Sequence, residues 1–107
     1  MEARTRATTR QAASTVCTEV RKSMTIVNKL GLHARAAAKL IELASGFESG
    51  IRIHRDGREA NAKSIMQVMM LAASKGTSIE VVARGPDAPE AVETIGRLVA
   101  GRFEEAE

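Results

Sequence analysis

The stretch IRIHRDGRE, residues 51–59, says more about the fold than any other part of the chain. Ile51 and Ile53 alternate with Arg52 and His54, the period-two pattern of a strand with one apolar face. Asp56-Gly57 follows, a pair that tolerates the backbone angles of a two-residue hairpin turn, so the chain doubles back into a short return strand. Strands with one polar face belong to an antiparallel sheet open to water on one side and covered by helices on the other.

Upstream of this hairpin, Val20, Met24 and Ile26 share one face and Arg21, Ser23 and Thr25 the other, which predicts a half-buried strand. Ala37, Leu40, Ile41 and Ala44 then recur at helical spacing, and Gly46 is a natural stop. Downstream, SIMQVMMLAAS (64–74) predicts a second, shorter helix, and SIEVVAR (78–84) a last strand with Ile79, Val81 and Ala83 inward. A final helix opens on Asp87 and Glu90, spaced as a capping box, and buries Val92, Ile95, Val99 and Phe103. The order is β-α-β-β-α-β-α, an α+β fold.

A chain of 107 residues, 44% hydrophobic, suits one domain with a modest core. Residues 1–18 are rich in Ala, Thr and Arg and hold no large apolar residue between Met1 and Val16. They read as a disordered tail ahead of a domain at 19–107. An Arg-rich, acid-poor start also resembles a transit peptide, although an extended or mis-assigned start is the preferred reading. No apolar run nears the roughly 20 residues of a membrane span, and no apolar segment of the signal-peptide kind follows the first arginines. A single cysteine, Cys17, forms no internal disulfide and fits a reducing compartment, so the cytoplasm is expected. The net charge of +3 invites a nucleic-acid reading. Part of that excess is Arg4, Arg6 and Arg10 in the tail, and 2% aromatics leave no base-stacking platform.

His33 sits where the first helix begins. Residues 34–37 offer backbone N–H groups without intrahelical partners, and with the helix dipole they favour an anion. Arg35 reaches back toward the same point, and Gly31 allows the bend that aims the imidazole outward. The positive helix end also disfavours the imidazolium, leaving a ring nitrogen free to attack an electrophile. These parts describe a residue that accepts and surrenders a phosphoryl group. A histidine at a helix start is more commonly a cap or a surface residue, and the residues alone leave both readings open. No metal is expected, since no ligand lies at suitable spacing from His33. His54, beside Arg52 and Arg55, reads as solvated.

GLHARAAAKL (31–40) resembles the active-site segment of the HPr family, histidine-containing phosphocarriers of the bacterial phosphoenolpyruvate-dependent phosphotransferase system. The resemblance runs from Val20 to Phe103. NKLGLHAR (28–35) and the ending GRFEEAE (101–107) look like the nitrogen-type branch, NPr, whereas NAKSIMQVMML (61–71) looks like the HPr proteins of Gram-positive bacteria. The resemblance implies an open-faced β-sandwich whose four-stranded antiparallel sheet is ordered 1-4-2-3, with three helices on one face. It implies His33 as the phosphorylated residue, through Nδ1, and Arg35 as the arginine that stabilises the phosphoryl group. The family usually has proline after that arginine; here stands Ala36, which keeps the helical turn with less rigidity.

Ser64 precedes an apolar helix and reads first as its N-cap. The resemblance makes it the regulatory site of HPr kinase/phosphorylase. On that helix Val68, Leu71 and Ala72 suit the core, which leaves Ile65, Met66 and Met69 as an exposed apolar patch, unless the helix is more deeply buried. Flexible methionines suit a docking surface that meets several partners in turn. By the resemblance those partners are enzyme I and enzyme IIA proteins. The expected protein is a monomeric relay, without cofactor, rather than a free-standing enzyme. A nitrogen-type regulatory carrier without a transported sugar is one alternative, and a small basic RNA-binding module is a remote one.

Overall fold

The structure, a computed structural model, describes residues 18–105. Its elements are β1 (Thr18–Thr25), α1 (Ala34–Ser45), β2 (Gly50–Arg55), β3 (Arg58–Asn61), α2 (Ile65–Met70), β4 (Ser78–Gly85), α3 (Ala88–Ala100) and a 3-10 turn (Arg102–Glu104). The sheet is antiparallel throughout and ordered β1-β4-β2-β3, with the three helices on one face, as the family resemblance implied. The expected tail lies outside the described residues except for Thr18. That residue is already in β1, opposite Gly85.

The alternation read from the sequence sets the register. Ile53 pairs with Val81 and Ile51 with Ala83, and all four are buried beneath the helices. Val20 and Met24 pack against this core only partly, because β1 is an edge strand; Ile26, just past its end, is fully buried. Asp56 and Gly57 both have positive φ, 49° and 80°, and close the hairpin between Arg55 and Arg58. On the open face, Arg21 bonds Glu19 and Glu80, Arg52 bonds Glu59, and His54 lies 3.8 Å from Glu59 and 4.0 Å from Glu80. Such exposed pairs contribute little to stability. His54 is therefore a partly solvated member of a surface charge row.

Three local expectations are corrected. The second helix stops at Met70, short of residue 74. Arg55 donates from Nη1 to the Leu71 carbonyl (2.8 Å), and Ala72 turns left-handed (φ 53°) into solvent, so Ala73 takes the core place assigned to Ala72. Phe103 is buried as expected but lies beyond α3, in a turn where Arg102, Phe103 and Glu104 all have φ between 54° and 65°. Each such non-glycine residue costs roughly 1–2 kcal/mol, so burial of the Phe103 ring has to hold the turn in place.

The third correction concerns Asp87, which makes no side-chain cap on α3. Its carboxylate turns instead to the α1–β2 loop. It accepts from the Ser49 hydroxyl (2.5 Å) and from the backbone N–H groups of Glu48 and Ser49 (2.9 Å each). The Ser49 hydroxyl accepts in return from the Asp87 N–H. Ser49 is buried against Gly85, where a Cβ would meet Ser49 Oγ at 2.6 Å, so only glycine fits there. The Ser49 hydroxyl and the Glu48 N–H, helped by the N–H groups of Ser49 and Asp87 itself, hold the Asp87 carboxyl below its ordinary range against the opposing effect of burial.

Two outcomes follow from these contacts. A carboxyl with a lowered folded-state pKa stabilises the fold above its unfolded value and loses that contribution as pH falls through the folded one. Asp87→Asn should therefore lower the urea midpoint at neutral pH and flatten its decline in acid. An unchanged acid profile would remove Asp87 from the clamp. Gly31→Ala should lower stability by about 2 kcal/mol in urea titration, because φ there is 67° and a Cβ would lie 2.5 Å from the Ala73 carbonyl.

Candidate functional site

The loop between β1 and α1 is held by backbone contacts to the segment after α2. Leu32 N–H donates to the Ala73 carbonyl (2.8 Å), Ile26 N–H to Thr77, and Gly76 N–H to the Ile26 carbonyl. The bend at Gly31 lets the chain pass this close, and it leaves His33 as the N-cap of α1 with extended backbone angles.

Both ring nitrogens of His33 are engaged. Nδ1 accepts from the Arg35 backbone N–H at 3.4 Å, and Nε2 donates to Glu105 Oε2 at 2.5 Å. A backbone N–H only donates and an ionised carboxylate only accepts, so the proton sits on Nε2 and the Nδ1 lone pair faces the helix N-terminus. The bond to Nδ1 is long enough to be exchanged easily for a stronger interaction. Nδ1, the nitrogen that the resemblance implies as the phosphorylated one, is therefore at the anion-favouring end of α1.

Glu105 is itself held. Asn28, fully buried, donates from Nδ2 to both Glu105 Oε1 (3.0 Å) and the Gly31 carbonyl (2.8 Å). Those two acceptors set the amide's orientation and leave its Oδ1 buried without a partner among the described residues. Burial pushes the Glu105 carboxyl up, but the Asn28 amide, the His33 N–H and the nearness of His33 and Lys39 together hold it below its usual range. Lys39 also donates to the Phe103 carbonyl (2.8 Å), tying α1 to the left-handed turn that delivers Glu105.

An open cleft of about 680 Å³ is lined by Lys29, Leu30, His33, Ala34, Arg35 and Glu105. Arg35 is exposed there, and its guanidinium makes no ion pair among the described residues. Ala36, at the position of the family's proline, is fully buried, so its methyl serves the core as well as the helical turn.

Ser64 is the N-cap of α2, its hydroxyl accepting from the Gln67 N–H at 3.4 Å. Ile65, Met66 and Met69 are 41%, 69% and 40% exposed, so this face of the helix is open; Met70, outside the expected patch, is more open still at 71%. His33 and Arg35 thus share one cleft, while no residue of α2 lines it. No helix among the described residues is long and apolar enough to cross a membrane. No cluster of metal-ligating side chains occurs among them either.

Asn28 and Glu105 are the site residues that sequence reasoning missed. Asn28 opens NKLGLHAR, but an asparagine three residues before a glycine signals a turn rather than a tether. Glu105 lies 72 positions from His33, in an ending noted only for its likeness to one branch.

Similarity to known proteins points to one family. Residues 20–101 match the family model described as "PTS HPr component phosphorylation site". The phosphocarrier protein HPr of Cupriavidus necator is 50% identical over 88 residues, covering 82% of this chain and 99% of that protein. The phosphocarrier protein NPr of Shewanella violacea is 43% identical over 89 residues, covering 83% and 98%. Among solved structures, HPr of Thermoanaerobacter tengcongensis superposes with a TM-score of 0.80 at 39% identity, covering 82% of this chain and 99% of that one. The chain belongs to the HPr family of phosphocarriers of the phosphotransferase system.

Proposed function

We propose that this chain carries a phosphoryl group on His33 Nδ1, taking it from phospho-enzyme I and passing it to an enzyme IIA protein. One observation carries the reading: His33 presents an unprotonated Nδ1 to the N-terminal N–H groups of α1, in a cleft where the Arg35 guanidinium has no competing ion pair among the described residues. Phosphoryl transfer asks a protein chiefly to position the nucleophile and stabilise the equatorial oxygens. A helix N-terminus and an arginine fork supply that stabilisation. Donor and acceptor both arrive on other proteins, so the reaction is a covalent relay. Its proposed place is the cytoplasm, and residues 19–107 are its proposed domain.

The relative named NPr favours a second reading, a nitrogen-type regulatory carrier with no transported sugar downstream. The chemistry at His33 is the same in both. A survey of which enzyme IIA proteins accept the group separates them.

Exposed Ile65, Met66 and Met69 form the proposed docking face, with Met70 beside them. A phosphate on Ser64 would place nearly two negative charges at one end of that face, with the helix N-terminus to stabilise them. A partner covering the face would have to desolvate that charge. Ser64 is therefore the proposed regulatory site for HPr kinase/phosphorylase.

Incubation with enzyme I and phosphoenolpyruvate should add one acid-labile phosphoryl group, seen by intact mass and mapped to His33. His33→Ala should abolish it, and label persisting in that variant would end the claim. Arg35→Ala should fold normally and slow transfer by roughly tenfold to a hundredfold, the worth of a charge-assisted hydrogen bond. A wild-type rate would remove Arg35 from the site.

Ser64→Asp should fold normally yet raise the apparent KM for enzyme I by about tenfold, through about 1.4 kcal/mol of weaker docking. Met66→Ala with Met69→Ala should act in the same direction with the chemical step unchanged. Equal rates at sub-saturating enzyme I would leave Ser64 as a helix cap only.

A further inference from the structure

We infer that Glu105, held by Asn28, is a positioning residue for phosphoryl transfer: it keeps the proton on His33 Nε2 through both the uptake and the release of the phosphoryl group. The inference rests on His33 being the phosphorylated residue. It adds an acid, delivered from the far end of the chain, to a site otherwise made of a histidine, an arginine and a helix end.

The geometry leaves Glu105 little choice. Its side chain is 13% exposed, against 28% for His33, and each carboxylate oxygen has its own donor: Oε1 takes the Asn28 amide and Oε2 the His33 Nε2–H. Asn28 is buried and also bound to the Gly31 carbonyl, so the carboxylate is fixed to the same loop that aims the ring. The strap that brings Glu105 here runs through three consecutive left-handed residues, pinned by the buried Phe103 ring and by Lys39 on the Phe103 carbonyl. Strained backbone of this kind persists where the surroundings over-determine it, and it clusters at functional sites. Lys29 and Arg35 line the same cleft, and Lys39, paired with Glu104, lies behind the carboxylate; among the described residues Glu105 is the one anion that lines the cleft.

The proton count explains what such an acid does. In uptake, the Nδ1 lone pair attacks phosphorus while the bond from phosphorus to the donor breaks, its electron pair leaving with the donor. The ring then carries phosphorus on Nδ1 and the original proton on Nε2, with one positive charge that the adjacent Glu105 carboxylate offsets. In release, the acceptor's lone pair attacks phosphorus and the Nδ1–P bond breaks toward the ring. The ring leaves neutral, its proton still on Nε2. No proton is transferred in either direction. A ring that lost the Nε2 proton while phosphorylated would have to leave as an anion, a far poorer leaving group. The carboxylate thus keeps the bound group in its transferable form, while Arg35 and the helix end face the phosphoryl oxygens.

The test uses the full chain with 15N-labelled histidine. In unphosphorylated wild type, ring 15N shifts and two-bond couplings should report one neutral tautomer, Nε2–H. Glu105→Ala should show a mixture of tautomers. Glu105→Gln should as well, since a single amide oxygen cannot serve both Asn28 and His33, and its NH2 can donate to Nε2 instead. Both variants, loaded with phosphoryl by enzyme I, should then pass it to an enzyme IIA protein about tenfold more slowly than wild type, while circular dichroism shows the fold retained. A single Nε2–H tautomer in Glu105→Ala, or a wild-type rate of release in both variants, overturns the role of Glu105 while leaving the phosphocarrier reading intact. Failure of the wild-type chain to take any phosphoryl group overturns both.

Discussion

The backbone of Gly31 passes so close to that of Ala73 and Ser74 that a methyl group would not fit between them. That approach, sealed by the Leu32 N–H on the Ala73 carbonyl, brings the loop ahead of α1 against the loop after α2. It sets where α1 starts, and therefore which residue becomes its N-cap. His33 holds that place because the chain turns left-handed two residues earlier and then enters the helix at once. The orphan N–H groups that make a helix start attractive to anions are thereby presented beside His33 Nδ1, at the open cleft.

A second constraint meets the first from the opposite end of the chain. Past α3, burial of Phe103 forces a left-handed turn that no local preference would select. The turn puts an acid on the imidazole, and the buried Asn28 amide joins that acid back to the Gly31 loop. The site is thus a closed circuit of hydrogen bonds from Asn28 through Glu105 to His33, supported by the core on both sides. Its open side faces Lys29, Leu30 and Arg35, the side on which the proposed phosphoryl group would sit.

Much of this was legible residue by residue. Period-two alternation around Ile51 and Ile53, followed by Asp56-Gly57, specified an antiparallel hairpin, because the side-chain period and the turn chemistry are both local. The faces of α1 and α3 were legible for the same reason, since a helix brings residues three and four apart to one side. Sequence reading failed where a side chain had two possible partners. Asp87 and Glu90 have capping-box spacing, yet the Asp87 carboxylate found a hydroxyl and two N–H groups at Glu48 and Ser49, a richer set of donors than its own helix offers. The second helix ran short because Arg55, on a neighbouring strand, takes the Leu71 carbonyl and Ala72 turns away from the helix.

By itself, then, the sequence determined the element order, the buried faces, and the presence of a histidine and an arginine at a helix mouth, all properties of neighbours along the chain. Tertiary structure alone decided which tautomer that histidine adopts and which acid holds it. Hydrogen-bond partners 72 residues apart are chosen by how helices and strands pack, and no periodicity along the chain records that distance.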